Sequence, residues 1–87
     1  MLVKNLHGTS DNNPPAGYSS WLSFWEDKTG RKARECCRCG SYNNLVGAHV
    51  QKVYGSKEWY IVPLCSACNK TESEFDINIY DMVLVNQ

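Results

Sequence analysis

Two C-x2-C pairs, Cys36 with Cys39 and Cys65 with Cys68, stand 25 residues apart in a chain of 87. Two thiolates three positions apart on a tight turn can grip one ion at about 2.3 Å each, and a second such turn completes the tetrahedron that Zn²⁺ accepts. The spacing therefore predicts that two distant turns converge on one structural zinc ion held by Cys36, Cys39, Cys65 and Cys68. Gly40, directly after the first pair, suits the sharp turn that aims backbone N–H groups at sulfur. Disulfides are the alternative, and they fit poorly with a chain read as cytoplasmic; a redox C-x2-C needs only one pair, in a βαβ context. The fifth cysteine, Cys37, reads as a free or accessory thiol pointing away from the metal.

Size makes the cross-link consequential. A core in a chain this short buries only about 60% of its unfolded surface, so apolar burial alone leaves folding marginal. Structural zinc contributes ~10 kcal/mol or more in small metal-dependent domains, enough to decide whether such a core forms. The hydrophobic fraction of 43% and aromatic fraction of 11% are those of a globular chain. No apolar run approaches the roughly 18 residues needed to cross a bilayer, and "MLVKNLHGTSDNN" lacks the apolar centre of a signal peptide. These features predict a soluble, cytoplasmic protein without a membrane partner. Nine basic residues balance nine acidic ones, so no net field draws in a polyanion. The basic residues are nonetheless uneven, with Lys28, Arg31, Lys32, Arg34 and Arg38 before and inside the first cysteine pair, which leaves either one locally basic face or an ordinary solvated loop.

Along the chain, "MLVKNL" reads as a short strand and "HGTSDNNPPAG" as a loop. "YSSWLSFWEDKTG" reads as a helix with Ser19 or Ser20 as N-cap, Trp21, Leu22 and Trp25 on one face, and Gly30 at its left-handed end. "LVGAHVQKV" and "EWYIV" read as an antiparallel hairpin turning near Gly55. Pro63 is expected to close the second strand, and the residues after Cys65 to start a short helix. The tail "FDINIYDMVLVNQ" reads as one more strand. The whole is one domain: a loop and helix over 1–34, a zinc core over 35–72, and a C-terminal strand over 73–87.

The order C-x2-C, "GAHV" on a strand, a hairpin return ending in "IVPLC", then "CSACNK" opening a helix resembles the HNH endonuclease family. Paired cysteines around a hairpin also occur in treble-clef zinc modules with no catalytic function. The resemblance covers Cys36 to Thr71. It implies an α+β fold with a ββα-metal core, here joined to an N-terminal helix and short terminal strands. It also implies that His49 matches the general base, Asn69 the last metal-ligating position, and Lys70 a contact to phosphate. Two positions depart from the pattern. Ala48 stands where Asp or His helps hold a divalent cation, and Tyr60 where an Asn orients the base. The implied reading is a zinc-binding, catalytically degenerate module for DNA, RNA or protein. Its rival is an active endonuclease using His49, Asn69 and a second divalent cation, with Glu72 or Glu74 as an added ligand. His49 can equally be a polar residue satisfied by a backbone carbonyl inside the hairpin. His7, in a loop, reads as solvated, and Trp59 or Tyr60 as one outward aromatic on which a base can stack.

Overall fold

β-branched and aromatic residues dominate 45–52 and 59–65, and these two runs form the centre of the structure. The computed structural model describes residues 1–6 and 13–85, so His7 lies outside the described residues. The chain runs β1 (Leu2–Asn5), α1 (Trp21–Thr29), β2 (Leu45–Lys52), β3 (Trp59–Cys65), the one-turn α2 (Ser66–Asn69), β4 (Phe75–Asp76), a 3-10 turn (Ile79–Asp81) and β5 (Val83–Leu84). One sheet results, in the order β4-β1-β2-β3-β5, with every neighbouring pair antiparallel. The fold is α+β, as the sequence implies. The β2–β3 hairpin pairs from Leu45 with Cys65 to Gln51 with Trp59, and Gly55 in its turn takes φ 101°.

α1 follows its sequence signals closely. Ser20 is the N-cap, accepting from the Ser23 N–H at 3.0 Å, while the Ser23 hydroxyl accepts from the Ser20 N–H at 3.1 Å. The two together satisfy donors that a helix start leaves unpaired. Gly30 ends the helix at φ 70°, donating to the Glu26 carbonyl at 2.9 Å. The helix lays Phe24 and Trp25 on Ile61 and Val85, with Tyr18, Trp21 and Trp59 around them. The close approach depends on Gly47. A Cβ there would stand 2.6 Å from the Leu22 nitrogen and the Trp21 carbonyl carbon, so the first turn of α1 rests on bare backbone of β2.

Because successive strand residues face opposite ways, the sheet has two separate cores. Val3, Ala48, Val50, Val62, Leu64, Phe75 and Ile77 pack with Cys36, Cys65 and Cys68 on the face opposite α1.

Two expectations need correction. Pro63 does not close β3, which runs on to Cys65 with Pro63 opposite Gly47. The position tolerates proline because β5 pairs only with Tyr60 and Ile61, and the Pro63 carbonyl accepts from the Cys37 N–H at 2.9 Å instead of from a strand. The tail is not one strand. β4 pairs with β1 and β5 with β3, at opposite edges of the sheet, and the 3-10 turn between them is started by Asn78, whose side chain accepts from the Tyr80 N–H at 2.9 Å.

Candidate metal centre

Local geometry builds the first half of the site from the turn that Gly40 permits. Gly40 takes φ 80° and donates to the Cys36 carbonyl at 2.9 Å, and the Cys36 N–H returns to the Ser41 carbonyl at 2.6 Å. This folds the segment so that the N–H groups of Arg38 and Cys39 point at Cys36 Sγ, at 3.4 and 3.5 Å. The second half arises where β3 becomes α2. Cys65 is at once the last strand residue and the helix N-cap, and its Sγ accepts from the Cys68 N–H at 3.5 Å. The bond from the Cys37 N–H to Pro63 joins the two halves.

The four sulfurs of Cys36, Cys39, Cys65 and Cys68 lie within 4.8 Å of one another. Cys39 and Cys65 are 3.7 Å apart, against the roughly 3.8 Å edge of a tetrahedron with zinc–sulfur bonds of about 2.3 Å. All five cysteines are free thiols. The donor set fits a structural metal ion such as zinc. Burial opposes ionisation of Cys36, but the N–H groups of Cys39, Cys65 and Arg38 outweigh it and bring the thiol down to about 6. Cys68 goes the other way, pushed up to about 12 by burial and by sharing its sulfur with the Cys65, Cys39 and Cys36 thiols. One charge thus enters the cluster easily and the next does not. A dication removes that conflict by stabilising all four thiolates together.

Among the described residues no Cys, Asp or Glu joins His49 in a group of three or more placed to share a metal. The His49 ring is buried on the α1 face, edge-on to Trp21 at 4.7 Å and to Trp59 at 5.9 Å between centroids. Its Nε2 is buried and has no hydrogen-bond partner among the described residues, so no backbone carbonyl satisfies that atom. Burial lowers its pKa, since charging the ring costs solvation. Ala48 faces the thiols. Asn69 ends α2, which Asn5 ties to the thiol side by donating from Nδ2 to the carbonyls of Cys68 and Thr71, both at 2.9 Å. Among the described residues the four cysteines are the one group of three or more His, Cys, Asp or Glu side chains placed to share a metal, and Glu72 and Glu74 join no such group. Lys70 caps α2 and is exposed.

Trp59 packs on the α1 face and Tyr60 on the thiol face, so neither stands outward; the well-exposed aromatics are Tyr42, Tyr54 and Tyr80. Cys37 is turned from the sulfur cluster as expected, toward Asp81, and burial followed by that carboxylate pushes its pKa up to about 12.

Residues outside the predicted ligand set also shape the site. Asn5 touches it from outside the cysteine pairs and Arg38 from within the first pair, and Arg31 holds Asp81 at 2.7 Å. Arg38 carried a signal, a guanidinium inside a thiolate knuckle; Asn5, 63 residues from Cys68, carried none. No helix of the described residues is long and apolar enough to cross a membrane. Comparison with family models, with curated proteins and with solved structures gives no match to this chain.

Proposed function

We propose that the chain is a zinc-stapled module of the HNH-like kind that has no hydrolytic centre and acts by binding nucleic acid. The observation that carries the reading is the enclosure of His49. The imidazole is buried on the α1 face of the sheet, edge-on to Trp21 and Trp59, and its Nε2 meets no hydrogen-bond partner among the described residues. A general base must come within about 3 Å of the proton it removes.

A groove of about 760 Å³ beside the first cysteine pair supports the binding half of the reading. Arg31, Lys32, Arg34 and Arg38 line it with Glu35 and Asp81. Arg31 is engaged by Asp81 and Arg38 by Thr71, so Lys32 and Arg34 are the cations offered to phosphate.

The test has two arms. Incubation with plasmid and Mg²⁺, Mn²⁺ or Ni²⁺ leaves the DNA intact, and cleavage that disappears in His49→Ala would overturn the reading. Anisotropy titrations with a short labelled duplex and a single strand give weak binding whose logarithmic salt slope is about −1 to −2, as two phosphate contacts require, and which Lys32→Ala with Arg34→Ala abolishes. A flat salt dependence favours instead a protein partner, for which exposed Ile79, Tyr80 and Leu84 offer an apolar surface.

A further inference from the structure

We infer that Arg38 is a positioning residue that closes the thiolate site by bonding to both of its halves. The inference rests on the zinc reading of the four cysteines. Arg38 lies inside the first pair, and its own N–H donates to Cys36 Sγ at 3.4 Å. Its side chain crosses to the second pair, where Nη1 stands 4.0 Å from Cys68 Sγ and donates to Thr71 Oγ1 at 2.9 Å. The guanidinium lies 5.2 Å from the centroid of the Phe75 ring, a buried residue of β4. Thr71 and Phe75 thus hold it over the sulfur from two sides.

Charge and donor supply both give this placement a purpose. Four thiolates around one dication carry a net charge of −2, and a cation at the rim lowers that excess. Cys36 Sγ has the N–H groups of Arg38 and Cys39 within 3.5 Å, and Cys65 Sγ has that of Cys68 at 3.5 Å. Among the described residues no backbone N–H serves Cys68 Sγ, and Arg38 is the nitrogen donor beside it. One Nη nitrogen has two hydrogens, one for Thr71 and one for sulfur. A flat guanidinium can make both bonds while stacked on Phe75, and a lysine ammonium cannot reproduce that arrangement. Partners behind a metal ligand typically change metal affinity by about 10- to 100-fold.

The experiment uses the full chain loaded with zinc or, for a spectroscopic readout, with Co²⁺. In Arg38→Ala, zinc affinity measured by release to a competing chelator falls about 10- to 100-fold below wild type. The sulfur-to-cobalt charge-transfer band also moves to longer wavelength, because a thiolate that has lost its donor gives up electron density more easily. Arg38→Lys restores less than half of either effect, and Thr71→Val shifts both in the same direction by less. Circular dichroism establishes that each variant is folded. A folded Arg38→Ala with wild-type release and an unmoved band overturns the inference. If Arg38→Ala does not fold, Arg38→Lys decides, and wild-type behaviour there overturns it equally. Wild-type protein that binds neither metal removes the zinc reading itself, a different failure from a loaded site indifferent to Arg38.

Discussion

On one face of the sheet Ala48, Val50, Val62 and Leu64 pack with three of the four clustered cysteines, whereas on the other His49 and Ile61 pack with Trp21, Phe24 and Trp25 from α1. The first face joins segments distant in sequence, the knuckle, the strand end and α2, and contains many small side chains. Aliphatic burial there leaves the turns at 36–41 and 65–69 to be fixed by their sulfurs. The second face needs no such fixing, because large aromatic rings from a capped helix cover it. His49 belongs to this second face. Ala48 and His49 are consecutive in sequence, yet one meets the metal site and the other the aromatic core. A motif that looks like a damaged catalytic pair is, in three dimensions, two residues of different cores.

This contrast predicts that the faces fail differently. The largest effect is expected from Cys65→Ser, which removes a ligand, the last residue of β3 and the cap of α2 together. Loss of metal-linked stability of ~10 kcal/mol exceeds what a domain of this size holds in reserve, so the variant is unfolded at room temperature by circular dichroism and carries no zinc. A Cys65→Ser protein that melts near the wild-type temperature would show that the thiol face stands on packing alone.

Gly47→Ala strikes the other face. Its added methyl meets backbone of α1, which cannot swing aside as a side-chain tip does, and the expected cost is ~1–3 kcal/mol in denaturant unfolding, with zinc affinity unchanged. Equal losses of stability and of zinc affinity would mean that the two faces act as one.

The smallest effect is a pH dependence on the α1 face. Burial holds the His49 pKa below its ordinary value of 6.5, so the folded chain binds fewer protons there than the unfolded chain does. Its contribution is therefore fully present above 6.5 and is lost as pH falls from there through the lowered folded value. Thiol protonation also weakens the domain in acid, so the comparison is with His49→Phe, which keeps a ring between Trp21 and Trp59. The melting temperature of His49→Phe falls less steeply than that of wild type below pH 6.5, and parallel curves would place the imidazole in contact with water.

Much of this was legible because the relevant physics is local. The C-x2-C spacing is dictated by the reach of two thiolates on one turn, and Ser20 and Gly30 mark a helix through bonds made within four residues. β-branched and aromatic content located β2 and β3, but it cannot say which face a helix will cover, and on that choice the meaning of His49 depends. Nothing in the sequence marks Gly47 as the place where α1 crosses β2, which only the packing of Trp21 and Leu22 against it reveals. Pro63 read as a stop because the sequence does not reveal that β5 ends before reaching it. The split tail escaped notice for a similar reason, since DINIYD interrupts its alternation only when Asn78 starts a turn. Asn5 acts across 63 residues, where a single sequence carries no pairing signal.

The central claim is that Cys36, Cys39, Cys65 and Cys68 hold one metal ion that keeps the thiol face folded. Native mass spectrometry of untagged protein, purified without added metal and paired with elemental analysis, tests it directly. The expected result is about one zinc per chain, with release by a strong chelator accompanied by loss of the folded signal. A chain that is folded, free of metal and carries the same four sulfurs as thiols or as disulfides would contradict it.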